Sequence, residues 1–194
     1  MQIEIRADGA HISGYVNATE KKSRPVMTPA GKVVEEIEPG VFAKAIEEAG
    51  NITVSVDHDQ THIYADTRDK TLVLYEDAIG LHADVLIRDE EVIELAKKGR
   101  IRGWSFGMYN VIDEVEQRAD ALPLRKIKGL SLDHITLVVN KTPVYSATSV
   151  EVRAEGEELV TETRASEDTP QIKVETPISD NHAFRNRIAR TKIN

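Results

Sequence analysis

Cysteine is absent from all 194 residues, which excludes together a disulfide framework, a thiolate zinc site and a cysteine nucleophile. An intracellular setting is therefore permitted. Aromatic residues are scarce, 5% against 40% hydrophobic overall, so a core must be built from Val, Ile, Leu and Ala with few large anchors. Long apolar runs are missing too: none approaches the ~18 residues that a membrane span requires. The opening MQIEIRADGAHISGYVNATE lacks the basic start and apolar stretch of an export signal. The chain is thus expected to be soluble and unexported, with no membrane partner. Positive charge is in deficit, with 25 Lys and Arg against 33 Asp and Glu. A net charge of -8 repels phosphate backbones, so a general nucleic-acid binder is not expected either.

What is present is strand-like. QIEIR, HISGYVNA, NITVSVDH, KTLVLY and GLHADVLI alternate or are β-branched, and Gly, Asp, Asn or Pro separate them. Two helices interrupt this pattern. Over residues 39–49 Phe42, Ala45, Ile46 and Ala49 share a face, and Gly50 is read as the stop. Over residues 89–98 Asp89 caps, Val92, Ile93 and Ala96 form the buried stripe, and Gly99 ends the helix in a left-handed turn. Two more strand-like stretches follow, RIRGWSFGMYNVI and GLSLDHITLVV, with a polar link containing DEVEQRAD between them. From Ala154 apolar periodicity fades, and burial no longer offsets the entropy of ordering. Residues 151–180 carry nine acidic and three basic side chains, and residues 181–194 carry none and four. The expected organisation is a body over 1–153 and a flexible acidic extension over 154–194 with a basic tip, a polarity suited to docking on another protein.

Three stretches carry chemistry. In GWSFG, strand alternation puts Gly103, Ser105, Gly107 and Tyr109 on one face and Trp104, Phe106 and Met108 on the other, which faces the core. Glycines on both sides of a serine weaken a strand unless something approaches its backbone closely, a substrate carbonyl for instance; a bulge or bend is the other reading. In VSVDHDQTH a β-branched strand ends in His58 between Asp57 and Asp59. Histidine suits general-base work near neutrality, its unperturbed pKa being about 6.5. In LSLDHITLVV, alternation groups Leu130, Leu132, His134 and Thr136, and turns Asp133 away with Ile135 and Leu137. A serine nucleophile needs a base within hydrogen-bond reach, and the base benefits from a third group to orient it. His134 fits that third position.

Taken in order, EPGVFAKAI opening a helix, HD closing a strand, a helix ended by glycine, GWSFG, LDHITLV and TPVYSAT resemble the caudovirus prohead protease family, over about residues 9–153. That family is in turn similar to the herpesvirus assemblins, serine proteases with a Ser, His, His triad. The resemblance implies a mainly β (α+β) fold, an antiparallel β-barrel with flanking helices. It carries the nucleophile onto Ser105, the base onto His58 and the third member onto His134. Many phage members have an acidic residue where this chain has His134, so that role rests on likeness to the assemblins. A neutral imidazole steadies an imidazolium less than a carboxylate does, which implies a slow, processing enzyme. The arginine pair of the assemblin oxyanion hole has no counterpart after His134. The implied function is a serine endopeptidase that trims scaffold or capsid precursors, and itself, inside the assembling prohead in the host cytoplasm. No metal or organic cofactor is implied, and a homodimer is allowed because assemblins gain activity on dimerising.

Two rival readings stay open. Asp57, His58, Asp59, His62 and His82 offer the oxygen and nitrogen ligands of a metal-dependent hydrolase, although NITVSV reads as strand and lacks the helical HExxH arrangement. Alternatively, the chain is a capsid-assembly or scaffold protein that keeps the protease fold without its chemistry. His11 and His182 have no partners in sequence and read as surface residues.

Overall fold

The alternating segments become strands in the computed structural model, which describes residues 1–140, 149–150, 160–167 and 170–174. In chain order these are β1 (Gln2–Arg6), β2 (Gly9–Ala18), β3 (Val26–Thr28), β4 (Gly31–Ile37), α1 (Val41–Glu48), β5 (Thr53–Val56), β6 (Ala65–Asp66) and β7 (Leu72–Glu76). They continue as β8 (Gly80–Ile87), α2 (Glu90–Lys97), β9 (Gly103–Glu116), β10 (Leu124–Val138), β11 (Ser149–Val150), β12 (Val160–Glu167) and β13 (Gln171–Val174). One sheet runs β13-β1-β2-β8-β7; the other runs β11-β12-β9-β10-β4-β3, with β5 also on β10 and β6 beside β5. Both sheets feed one buried cluster, to which Ile12 and Leu81 contribute from the first sheet and Trp104, Phe106 and Leu137 from the second. Phe42 of α1 closes it edge-to-face on Phe106, ring centres 5.5 Å apart.

A mainly β chain with two helices is therefore as expected, but the antiparallel barrel is not what forms. β1 pairs with β13 in parallel, and β10 pairs in parallel with both β4 and β5. Among the described residues neither sheet closes on itself. Residues 124–127 of β10 take β4 as neighbour and residues 134–137 take β5, so two short strands share one edge of a long one. β4 and β5 follow one another along that edge in the same direction, and α1 lies in the connection between them. The end strand β7 is tied to that helix: the Glu76 carboxylate accepts from the amides of Gly40 (2.8 Å) and Ala43 (2.6 Å), capping α1 from outside its own sequence.

The second helix follows its sequence signals. Asp89 accepts from the Val92 amide at 3.0 Å, and Gly99 is left-handed at φ 64°. The first helix departs from them at its end: Ala49 is already extended (φ -73°, ψ 130°) and Gly50 takes no left-handed turn. The polar link DEVEQRAD is also partly strand, because residues 113–116 pair with 124–127. Cross-strand ion pairs of Lys128 with Glu114 and of Lys126 with Glu116 at 3.3 Å line the exposed side of this arm.

The stretch expected to be a flexible extension contributes β12 and β13; apart from Pro170, its remaining residues lie outside the described ones. β12 adds to β9 with Ala165 opposite Ser105, and β13 adds to β1. Strand addition uses backbone hydrogen bonds and a receptive edge, so weak apolar periodicity did not forbid it. One side chain anchors the addition: Arg164, buried, donates to both oxygens of buried Glu35, which also accepts from Arg125 Nη1 at 2.8 Å.

Candidate active site

The site lies where β5, β10 and β9 run side by side. Thr136 is paired with Ser105 across the antiparallel ladder and with Ser55 across the parallel one; His134 is paired with Gly107 and Thr53. Paired residues project to the same side, so one face collects Ser105, Gly107, His134, Thr136 and Ser55. The opposite face carries Trp104, Phe106 and Met108, all fully buried. The division of β9 into a polar and an apolar face is the expected one.

His58 arrives from the end of β5. Asp57 (φ 49°) and His58 (φ 64°) are consecutive left-handed non-glycine residues, a conformation that persists only when neighbours over-determine it. Here they do. The Asp57 amide donates to the Leu137 carbonyl at 2.9 Å, and its carboxylate accepts from the amides of Val139 (2.9 Å) and Asn140 (3.0 Å). The His58 amide donates to Thr136 Oγ1 at 3.1 Å, and buried Ser55 donates its hydroxyl to the same oxygen at 3.1 Å. Gln60 Nε2 donates to Ser55 at 3.1 Å and closes that end.

So held, the His58 ring bridges the other two residues. Its Nε2 is 2.8 Å from Ser105 Oγ and its Nδ1 is 2.9 Å from His134 Nε2. The two imidazoles meet nearly edge to face, at 81°. Ser105 is 2% exposed and His134 4%, with the half-buried ring of His58 between them. The three residues singled out in sequence come together in one hydrogen-bonded line.

Two features of the sequence reading need correction, and both trace to one extra residue. Leu132 faces Met108 while His134 faces Gly107, so Asp133 is an additional residue on β10, a β-bulge. The bulge breaks strict alternation, leaving Leu132 with the core and His134 with the site. It also brings Asp133 back toward His134 instead of away from it: Asp133 Oδ2 is 3.1 Å from His134 Nδ1. At Gly107 the close neighbour is a side chain of the site itself. A Cβ built on Gly107 would stand 2.3 Å from His134 Cε1, so the missing side chain is the space the imidazole occupies.

The proposed metal ligands disperse. Asp57 is engaged by backbone amides, His62 sits exposed beside Asp59 at 3.5 Å, and His82 stacks on Tyr75 in the other sheet. Among the described residues no three His, Asp or Glu side chains are grouped to hold a metal ion. His11 pairs with Asp8 at 2.9 Å; His182 and the TPVYSAT segment lie outside the described residues. No helix among the described residues is long and apolar enough to cross a membrane. Sequence reasoning did not give Thr136, Asp57, Gly107 and Asp133 the parts they take here, which arise from register and contacts between strands far apart in the chain.

Compared with known proteins, the chain matches over residues 1–163 a family model described as caudovirus prohead serine protease. No curated protein and no solved structure matches it.

Proposed function

We propose, for a chain that belongs to the caudovirus prohead serine protease family, an endopeptidase in which Ser105 is the nucleophile, His58 its base and His134 the group that orients His58. Ser105 Oγ attacks the scissile carbonyl while its proton passes to His58 Nε2. The resulting imidazolium returns that proton to the leaving amine as the C–N bond breaks, and water then hydrolyses the acyl-enzyme by the same relay. His134 accepts from His58 Nδ1 throughout, fixing the ring and spreading its positive charge. Support for these roles comes from one observation, the continuous line Ser105 Oγ to His58 to His134 at 2.8 and 2.9 Å.

The substrates are scaffold or capsid precursors in the assembling prohead within the host cell, with the chain's own extension after residue 153 as a further target. A neutral imidazole in third place suits slow, limited processing. The test is co-expression with the matching capsid precursor. Wild-type protein shortens the precursor and Ser105→Ala does not, although the variant folds normally. Equal shortening by both would remove Ser105 from the chemistry. For self-cleavage the readout is intact mass after incubation: wild type loses mass and Ser105→Ala keeps it, and identical masses would rule that part out.

A further inference from the structure

The hydrogen-bonded line does not stop at His134, and its far end determines its direction. An ionised carboxylate only accepts, so the contact between Asp133 Oδ2 and His134 Nδ1 at 3.1 Å needs a proton on Nδ1. A neutral His134 protonated there has a bare Nε2, which must accept from His58 Nδ1–H, 2.9 Å away. His58 protonated on Nδ1 then presents a bare Nε2 to the Ser105 hydroxyl at 2.8 Å. Each ring's tautomer follows from its neighbour's, and only the carboxylate has no choice. With the opposite tautomer on His134, Nε2–H would point at His58 Nδ1 and force the His58 proton onto Nε2. The base would then face Ser105 with a hydrogen it cannot use.

From this geometry we infer that Asp133 is a positioning residue for the proposed reaction: through His134 it sets the tautomer of His58 and strengthens the line as His58 becomes charged. The inference rests on the assignment of Ser105, His58 and His134 made above. Backbone and burial agree with it. The bulge at Asp133 adds the one residue that turns its carboxylate toward the site face. Its side chain is 41% exposed while His134's is 5% exposed, so a carboxylate open to solvent meets a buried imidazole. Asp133 also supplies the acidic group that a Ser, His, His line lacks, one imidazole further from the nucleophile.

Two measurements test this. In wild-type protein with 15N-labelled histidine, in mildly alkaline buffer, His134 should show the Nδ1–H, bare Nε2 pattern; the reverse pattern would overturn the inference whatever the activity. In Asp133→Ala, His134 should shift toward Nε2–H, and kcat for precursor cleavage should fall roughly tenfold to hundredfold with KM unchanged. Asp133→Glu should recover part of the loss. Because Asp133 is half-exposed, the alanine variant is expected to melt with the wild type, and its melting curve checks that. Unchanged kcat in Asp133→Ala beside an inactive Ser105→Ala would discard the role of Asp133 while leaving the nucleophile in place. An active Ser105→Ala would discard the nucleophile itself, and the tautomer of His134 would then stand as a structural fact without a reaction.

Discussion

Gly107→Ala isolates the requirement that His134 occupy the space beside β9. The new methyl would lie 2.3 Å from His134 Cε1 and 2.8 Å from Nε2. Carbon atoms in contact sit about 3.5 Å apart or more, so the ring has to retreat by about 1.2 Å. A retreat of that size away from His58 stretches the 2.9 Å bond to about 4 Å, outside hydrogen-bond range. Backbone strain does not contribute, since Gly107 is not left-handed. Overpacking of this kind costs about 1–3 kcal/mol of stability, so the variant still folds. Misplacement of a positioning group by about 1 Å costs roughly a hundredfold in kcat, equivalent to about 2.7 kcal/mol. The assay is precursor cleavage by purified protein, repeated in a His134→Ala background. There the methyl has no ring to displace, and Gly107→Ala should change kcat by less than about threefold. An equal loss in both backgrounds, or a single variant as active as wild type, would refute the argument that Gly107 acts through His134.

Other consequences follow from the buried polar groups. Thr136→Val removes the oxygen that accepts from the His58 amide and the Ser55 hydroxyl, both at 3.1 Å. Unfolding in urea should show a loss of about 2 kcal/mol, and kcat should fall as His58 loosens; unchanged stability would mean that these donors find other partners at no cost. Glu35→Ala withdraws the carboxylate between Arg125 and Arg164, and breaking a buried pair from one side costs roughly 3–5 kcal/mol. Amide exchange should quicken in residues 160–167 of β12 before it does in β9 and β10, and uniform protection would show that Arg164 does not anchor β12.

How much was legible in the chain depends on how local each cause is. The polar and apolar faces of β9 could be read because they need only period-two alternation, and Asp89 and Gly99 because caps act within a few residues of a helix end. That Ser105, His58 and His134 belong together came from the ordered motifs. The line that their side chains form depends on β5 and β9 flanking β10, which no local pattern states. Asp133 was misread for a definite reason: alternation assumes an unbroken ladder, and one inserted residue reverses the phase of everything before it. The barrel failed at the same level. Local patterns give strands but not partners, and nothing local states that β4 and β5 both pair in parallel with β10. For β12 the contact seen is that of Arg164 with Glu35, 129 positions away in the chain.

These costs bear on the alternative of an assembly protein that keeps the fold and not the chemistry. Of the five non-glycine left-handed residues among those described, two are consecutive, and they are Asp57 and His58. Each such position costs on the order of 1 kcal/mol or more. Beside them the chain buries Ser55, Ser105, His134 and Thr136 where valine or leucine would pack without needing partners, and it keeps a weakening glycine at 107 in the interior of β9. A purely structural protein needs none of this set, which apolar residues exchanged together could replace at little cost. Local departures from the most stable solution are expected at functional sites, and here they converge on the ring that faces Ser105 Oγ. The distribution of cost within the fold therefore favours a reacting hydroxyl at Ser105 over a relic of one.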